Sequence, residues 1–436
     1  MNLEPLIERT RSAAVHRPEG TIVEVNGLIV EVGGLRAAIG DCLTVPNAQG
    51  LRLEVVGFRK SHLLTTPLGS TAGLRRGVKA VFASHGGTTL VGEGLLGRVV
   101  DALGRPLDGK PLPAALSRVS LERDPPDAFS RQPIRTPLST SVRAIDGLLP
   151  LGVGQRVGIF AGSGVGKSTL LGMICRGSSA DINVIGLIGE RGRELNEFIR
   201  QSLGEEGLAR SVVVAATSDQ APLLRARGAE TATAIAEYFR DQGKSVLLVM
   251  DSVTRYAMAL REVALAAGEP PATKGYPPSV FAALPRLLER AGTSPGQGVI
   301  TALYTVLVEG DDLSDPIADT VRGVLDGHIV LSRKLAERGH FPAIDVGASV
   351  SRLVNEVAHP DHVAAANRFK DLLGAHRDAL DLIQVGAYSP GSDARVDEAL
   401  RLAPAFDALL RQRTDEKTRP AETLAVLLRM VAAKGK

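Results

Sequence analysis

The sequence predicts an α/β fold with a small N-terminal β-barrel, a central domain built on a mostly parallel sheet, and a C-terminal helical domain. Three changes of pattern indicate this division. Between residues 21 and 89, short β-branched runs alternate with glycines, which is typical of small barrels and sandwiches. Between 92 and 354, buried strands alternate with helices, which is typical of a parallel sheet covered on both faces. From 355 onward the apolar spacing is helical only.

The N-terminal part begins with a short amphipathic pattern. Leu3, Leu6 and Ile7 recur at helical spacing, so a helix is predicted that ends near Pro18. Barrel strands are expected at 21–25, 28–32, 53–56 and 78–82. We therefore divide the chain into four segments: 1–20, a helix that binds a partner; 21–90, the barrel; 91–355, the sheet domain; and 356–436, the helical domain.

The sheet domain alternates between strands and helices along the chain. Strands are predicted at 157–160, 183–188, 212–216, 246–250 and 299–308. Helices are predicted at 168–176, 195–203, 228–240 and 256–267. The proline-rich stretch 123–137 is interpreted as a linker or extended arm. In the C-terminal domain, helices are expected at 363–373, 397–410 and 421–431.

The composition excludes several classes of protein. Lys and Arg number 51 and Asp and Glu 48, so the net charge of +3 argues against a nucleic-acid coater. A hydrophobic content of 44% excludes general disorder, and two cysteines exclude a disulfide framework or a zinc ribbon. No apolar stretch approaches the roughly 18 residues of a membrane span, and the N-terminus is not a secretory signal. We expect a cytoplasmic protein.

A phosphate-binding loop follows the first strand of the sheet domain. Residues 161–169 read A-G-S-G-V-G-K-S-T, the P-loop spacing with alanine in the first position. Its glycines let backbone N–H groups curl around an anion at a helix N-terminus. Lys167 is expected to bind the β- and γ-phosphates of a nucleotide, and Ser168 to ligate Mg²⁺. The nucleotide-binding residues predicted from the motif are Ala161, Gly162, Ser163, Gly164, Val165, Gly166, Lys167, Ser168 and Thr169.

Two acidic residues at strand ends complete the predicted site. Asp251 ends a buried strand, so it reaches the carboxyl edge of the sheet, where it can hold the water shell of Mg²⁺. Glu190 follows another strand, and a carboxylate there can polarise an attacking water. From position alone, a solvated acid beside Arg191 and Arg193 explains Glu190 equally well. The sequence contains no N-K-x-D motif for guanine, so ATP is favoured over GTP.

Longer motifs resemble the rotary ATP synthase superfamily. The run 91–109, VGEGLLGRVVDALGRPLDG, is similar to the strand-rich start of the synthase head, and 189–194, GERGRE, is shared across the superfamily. Within it the chain resembles the protein-export ATPases of flagella and type III secretion injectisomes, through GEPPATKGYPPSVF at 268–281 and VEGDDLSDPIAD at 308–319. The resemblance extends from about residue 21 to 428.

The resemblance implies an ATP hydrolase with a RecA-like P-loop domain, assembled as a homohexameric ring with nucleotide between subunits. Glu190 then matches the catalytic carboxylate, and Arg191, next to it in the same motif, is counted with the catalytic residues. Arg352 matches an arginine finger that reaches the neighbouring subunit's γ-phosphate. Phe341 matches the aromatic that packs on adenine. From residues alone, Arg352 would be a surface arginine and Phe341 a core side chain.

The resemblance also implies partners other than a second copy of the chain. Substrate–chaperone complexes would dock at a membrane export gate, so the protein would lie on the cytoplasmic face of the inner membrane. A stator-like regulator would bind the N-terminal helix, whose equal alternative is a frayed structural helix. A central stalk would face 272–278 and 309–316, with Asp311, Asp312 and Asp315 as channel acids, although an ordinary solvated turn explains these acids nearly as well.

Three other functions remain to be compared with the export ATPase. A rotary or vacuolar-type catalytic subunit would carry a C-terminal acidic run that is missing here. A regulatory subunit that binds ATP without turnover would not need Glu190. An RNA translocase would need aromatic stacking residues in the barrel, where 21–90 offers only Phe58 and Phe82, so no nucleic-acid partner is expected. The motifs do not separate the flagellar from the injectisome branch.

Overall fold

A computed structural model of the chain describes residues 17–48, 50–308 and 314–432. The predicted N-terminal helix and the acids Asp311 and Asp312 lie outside these ranges. The described residues form two compact units. The first contains the residues up to Gly87 together with Glu262–Pro270, and the second contains Thr88–Arg261 and the residues from Pro271 onward.

A closed barrel of six antiparallel strands makes up most of the first unit. The strands are β1 (Glu19–Asn26), β2 (Ile29–Gly33), β3 (Cys42–Val45), β4 (Leu51–Arg59), β5 (His62–Pro67) and β6 (Lys79–Ser84). They pair in the order β1-β2-β5-β4-β3-β6, and β6 closes on β1. The interior is aliphatic, with Ile22, Val32 and Leu43 fully buried. The barrel prediction is confirmed, but β3 and β5 are new, since both are short and carry threonines that interrupt the apolar run.

An eight-stranded sheet forms the centre of the second unit. The strands that follow the barrel along the chain are β7 (Thr88–Val91), β8 (Val99–Asp101), β9 (Ser117–Ser120), β10 (Pro137–Leu138), β11 (Leu151–Gly152), β12 (Arg156–Ala161), β13 (Ile182–Ile188), β14 (Ser211–Ala216), β15 (Ser245–Asp251), β16 (Val299–Leu307), β17 (Gly327–Leu331) and β18 (Ile344–Ser351). Of these, β7 pairs with β9 and β10 pairs with β11 in two small separate sheets, and the others form the central sheet. The order in the sheet is β18-β17-β12-β16-β15-β13-β14-β8. Every neighbouring pair is parallel except β17 and β18.

Helices accompany the strands of this sheet, as predicted for a parallel arrangement. Their bounds are Arg143–Leu148, Lys167–Gly177, Gly192–Glu197, Gly204–Ala209, Pro222–Asp241, Val253–Ala267, Pro278–Leu288, Pro316–Val324 and Arg333–Glu337. The single helix predicted at 195–203 is wrong in detail. An α-helix ends at Glu197 and Phe198–Leu203 is π-helical, which brings Phe198 and Leu203, five residues apart, both into the core.

The C-terminal residues are helical, as predicted. The helices are Val354–Val357, Pro360–Gln384, Ala394–Leu410 and Pro420–Ala432. The rings of Phe369 and Phe406 pack at a tilt with centroids 4.6 Å apart, and both belong to the same hydrophobic cluster as Val157 of the sheet. The helical region and the sheet therefore share one core, and a separate domain from residue 356 stays a prediction. Within the described ranges, no helix is long and apolar enough to cross a membrane.

Candidate active site

The P-loop leaves the sheet at its carboxyl edge. Ala161 is the last residue of β12 and pairs with Leu307 of β16 on one side and Leu331 of β17 on the other. Gly164 and Gly166 have φ angles of 79° and 86°, in the left-handed region that favours glycine. The helix then starts at Lys167. Because the first N–H groups of a helix have no partner within it, the loop presents donors to an anion.

Three charged side chains from three elements meet beside this loop. Lys167 Nζ contacts Asp251 Oδ1 and lies 3.2 Å from Glu190 Oε1. The side chains of Lys167, Glu190 and Asp251 are 11%, 19% and 2% exposed. Burial alone would lower the pKa of Lys167, but the two carboxylates raise it. Lys167 therefore stays charged, and β13 and β15, which are neighbours in the sheet, deliver both acids to it.

Glu190 is an acid whose affinity for protons suits a general base. Burial raises its pKa to about 7; Asp251 and a hydrogen bond with Glu194 act in the same direction, and Lys167 opposes them. A carboxyl group that titrates near neutral pH can accept a proton from water and release it again. The geometry favours the catalytic interpretation of Glu190 over that of a solvated surface acid.

A hydrogen bond from a neighbouring strand of the same sheet orients the Asp251 carboxylate. Thr305 Oγ1 in β16 donates to Asp251 Oδ1 at 2.7 Å, and both residues are buried. The same oxygen receives Lys167, so Oδ2 is the oxygen without a hydrogen bond among the described residues. Asp251 can therefore keep its rotamer while offering Oδ2 to a ligand.

Sequence reasoning missed three residues near these acids. Glu194 bonds to Glu190, Thr305 bonds to Asp251, and Arg255 lies so close to Gly189 that a Cβ there would sit 2.8 Å from the Cβ of Arg255. Arg255 Nε is buried without a hydrogen bond to the described residues. The available signals were weak: Glu194 is in the GERGRE motif, Arg255 is one helical turn after Asp251, and Thr305 is a hydroxyl in an apolar strand.

Two further predicted residues have different surroundings. Arg191 is mostly exposed and donates to Glu194 at 3.0 Å, so the structure does not bring it onto Lys167, and its catalytic role stays a prediction. Phe341 is 45% exposed, so it is not a core side chain. A Cβ at Gly166 would lie 3.4 Å from the Phe341 ring, which places the ring against the P-loop. Its position fits stacking on a base whose phosphates occupy that loop.

Arg352 lies at the opposite edge of the sheet from the P-loop. It follows β18, whose last residue, Ser351, pairs with Gly327 at the start of β17. Its backbone N–H donates to Asp326 O, and Asp326 N–H donates to Arg156 O at the start of β12. The P-loop begins where β12 ends, about 16 Å away at the usual strand rise. The exposed Arg352 side chain therefore cannot serve the P-loop of its own chain.

The oxygen groups beside the P-loop fit magnesium better than a transition metal. No cluster of three or more His, Cys, Asp or Glu side chains suited to a metal occurs in the ranges 17–48, 50–308 and 314–432. Mg²⁺ does not require one, because it keeps several waters and binds one or two protein oxygens plus phosphates. The exposed Ser168 hydroxyl and Asp251 Oδ2 are such oxygens.

Asp315, the predicted channel acid that lies within the described residues, has a local structural role. Asp315 Oδ1 accepts hydrogen bonds from the N–H groups of Ile317 and Ala318, capping helix Pro316–Val324. Asp315 Oδ2 lies 3.6 Å from Lys274 Nζ. The two predicted channel loops thus touch each other through Asp315, which is not a free acid.

Three family models match successive parts of the chain, and two of them describe the same family. The β-barrel domain of the ATP synthase alpha/beta family matches residues 22–83, and its nucleotide-binding domain matches 141–351. The C-terminal domain of the type III secretion ATPase EscN matches 358–429. The last match favours an export ATPase over a rotary synthase subunit.

Individual relatives match over nearly the whole chain. The flagellum-specific ATP synthase of Bacillus subtilis is 52% identical over 98% of both chains. The type 3 secretion system ATPase of Xanthomonas euvesicatoria is 50% identical over 98% of this chain and 97% of its own. The assembled ATPase EscN of enteropathogenic E. coli, solved in complex with its central stalk EscO, has a TM-score of 0.88 and 46% identity over 94% of this chain and all of that one.

Proposed function

This chain belongs to the family of flagellum-specific and type 3 secretion system ATPases, and on that premise we propose how its residues hydrolyse ATP and what the hydrolysis drives. It is an ATP hydrolase of the protein-export type. The observation that supports the mechanism most is the meeting of Lys167, Glu190 and Asp251 beside the P-loop. The near-equal identities to flagellar and injectisome relatives leave the branch open.

The residues of one chain bind the nucleotide and activate water. Backbone N–H groups of the P-loop and Lys167 hold the β- and γ-phosphates, and Phe341 packs on the adenine. Ser168 and, through water, Asp251 would hold Mg²⁺, which would supply positive charge against the phosphate oxygens. Glu190 accepts the proton of the attacking water, which requires Lys167 to exchange its carboxylate contacts for phosphate oxygens.

Arg352 completes the site of a neighbouring subunit. A guanidinium aimed at the γ-phosphate stabilises the charge of the transition state, and it can do so only from a second copy, given its place at the other edge of the sheet. We therefore propose a homohexameric ring with nucleotide between subunits. Each chain carries Glu190 and Arg352, so every interface of such a ring can be catalytic.

The ring acts on other proteins. The relative solved with its stalk supports a central stalk in this ring too, contacting the loops 272–278 and 309–316. We propose that hydrolysis drives release of chaperones from export substrates and unfolding of those substrates at a membrane export gate. The protein would then work in the cytoplasm at the inner membrane, with its N-terminal helix bound to a stator-like regulator.

Replacement of the catalytic base tests this function. Glu190→Gln should lower ATP turnover by about 10²-fold or more, because the amide cannot accept the proton, while nucleotide affinity remains near wild type. Steady-state phosphate release and calorimetric binding of a non-hydrolysable ATP analogue with Mg²⁺ measure the two quantities. Glu197→Gln, an exposed glutamate on the same segment, is the matched control. Wild-type turnover in Glu190→Gln would contradict the assigned role.

A further inference from the structure

The segment that carries Phe341 is held by the end of a helix far away in sequence. Arg411 Nη1 donates to Gly339 O at 2.8 Å. Gln412 N–H donates to Phe341 O at 3.0 Å. Asp407 Oδ1 lies 3.1 Å from His340 Nδ1. Three consecutive residues thus each have a polar partner at the end of helix Ala394–Leu410 or just beyond it.

The residues that hold this segment are themselves fixed. Arg411 Nε donates to Asp407 Oδ2 at 2.6 Å, which joins two of the three partners. Gln412 is 6% exposed. Its Oε1 accepts from Arg143 N–H at 2.8 Å and its Nε2 donates to Ser141 O at 2.8 Å. The holding residues are therefore anchored to the start of helix Arg143–Leu148, which belongs to the sheet region.

The ring of Phe341 has few other constraints. Its ring faces Gly166, where an added Cβ would lie 3.4 Å from it, but the side chain is 45% exposed. A phenylalanine has only two side-chain torsions, so the position of its ring follows the position of its backbone. The contacts to Gly339, His340 and Phe341 help to set that backbone, together with the hydrogen bonds that Gly339 N–H and His340 N–H donate to Ala336 O and Leu335 O. The place of the ring over the P-loop therefore depends on Asp407, Arg411 and Gln412.

We propose that Asp407, Arg411 and Gln412, which we name the base clamp, are positioning residues that set the affinity and selectivity of the site for a purine base. The proposal rests on the proposed role of Phe341. Without the clamp the Phe341 ring must be ordered by the nucleotide, and that ordering entropy weakens binding. The phosphates are held by other residues, so the clamp changes KM and leaves kcat alone.

Arg411→Ala tests the clamp directly. It should raise the KM for ATP about fivefold, because Gly339 O loses the guanidinium that donates to it, with kcat within about twofold of wild type. The ratio of kcat/KM for ATP over CTP, whose pyrimidine base stacks less well on the ring, should fall toward one. Arg411→Lys, which keeps one donor, should recover part of the KM. Arg413→Ala is the matched control, because Arg413 is two residues away, exposed, and paired with Asp415.

A double-mutant cycle with Phe341→Ala decides whether the clamp acts through the ring. If it does, Arg411→Ala adds nothing to the KM of the Phe341→Ala chain. The clamp is overturned, and the base role of Phe341 survives, if Phe341→Ala raises KM but Arg411→Ala and Asp407→Asn do not. The same conclusion follows if the effects of Phe341→Ala and Arg411→Ala on KM are simply additive. If Phe341→Ala leaves KM unchanged, the base role fails and the clamp fails with it. A lower melting temperature for Arg411→Ala without a KM change also overturns the proposal.

Discussion

The charged groups at the two ends of the parallel strands in the central sheet differ in burial and in pairing. At the carboxyl edge, Lys167 is nearly buried and paired with Glu190 and Asp251. At the other edge, Arg352 is exposed, and its guanidinium donates to Arg322 O at 3.3 Å. One edge therefore holds a site that a single chain assembles for itself. The other edge presents a cation that, under the proposed mechanism, acts on a second chain.

The direction of one strand produces this difference. β18 runs antiparallel to β17, so the chain returns to the edge where the parallel strands begin before it reaches Arg352. A parallel β18 would have delivered the same arginine to the P-loop edge. If Arg352 is an arginine finger, hydrolysis depends on assembly, because the length of the strands separates Arg352 from the P-loop.

Removal of Arg352 should have the largest effect in this comparison. Arg352→Ala should lower turnover by about 10³-fold, the usual contribution of an arginine finger, and leave nucleotide affinity within about twofold. Steady-state hydrolysis and binding of a fluorescent ATP analogue measure the two effects. Arg352→Lys should recover little, because an ammonium lacks the planar fork. A parallel loss of affinity and turnover in Arg352→Ala would instead place the arginine in nucleotide binding.

Protonation of Glu190 at low pH should reduce kcat/KM for ATP by less than the removal of Arg352 does. The pKa of Glu190 is about 7 because the side chain is buried, and only its deprotonated form accepts a proton from water. The kcat/KM for ATP should therefore rise with pH through about 7 and level off above it, with about a tenfold loss for each unit below. The residual activity of Glu190→Gln should lack this limb. An unchanged limb in that variant would assign the titration to another group.

Loss of the hydroxyl beside Asp251 should have the smallest effect. Thr305→Val keeps the volume of the side chain but removes the donor to Asp251 Oδ1, so Asp251 loses part of its orientation. We expect kcat to fall about fivefold, and Thr305→Ser to restore it. The concentration of Mg²⁺ needed for half-maximal activity should rise in the valine variant. If serine fails to rescue, Thr305 contributes packing and not the hydrogen bond.

The sequence predicted the parts of the site that are local. The P-loop is contiguous, and Asp251 and Glu190 follow apolar strands whose ends share one edge, so their meeting could be anticipated. Thr305 and Arg255 could not be found, because their roles depend on which strands are neighbours in the sheet. β17 and β18 were missed since both alternate buried and partly exposed residues. The antiparallel turn that sends Arg352 to the far edge was missed with them.

Contacts between residues far apart in the sequence could not be predicted either. The base clamp joins residues near 340 to residues near 410, and no periodicity relates the two segments. Asp315 also has a partner that the sequence did not indicate, because its carboxylate caps helix Pro316–Val324, and its contact with a stalk stays a prediction. In both cases the side chains are ordinary in type, and only the fold decides their partners.

The most direct test mixes two inactive chains. Lys167→Ala lacks the cation on the β- and γ-phosphates, and Arg352→Ala lacks the finger, so each alone should show almost no ATP turnover. In a mixed ring, an interface that joins the intact P-loop of one variant to the intact Arg352 of the other is complete. If Arg352 acts between subunits, turnover reappears on mixing and is greatest near equal amounts of the two variants. Mixed rings that form but recover no activity would contradict action between subunits.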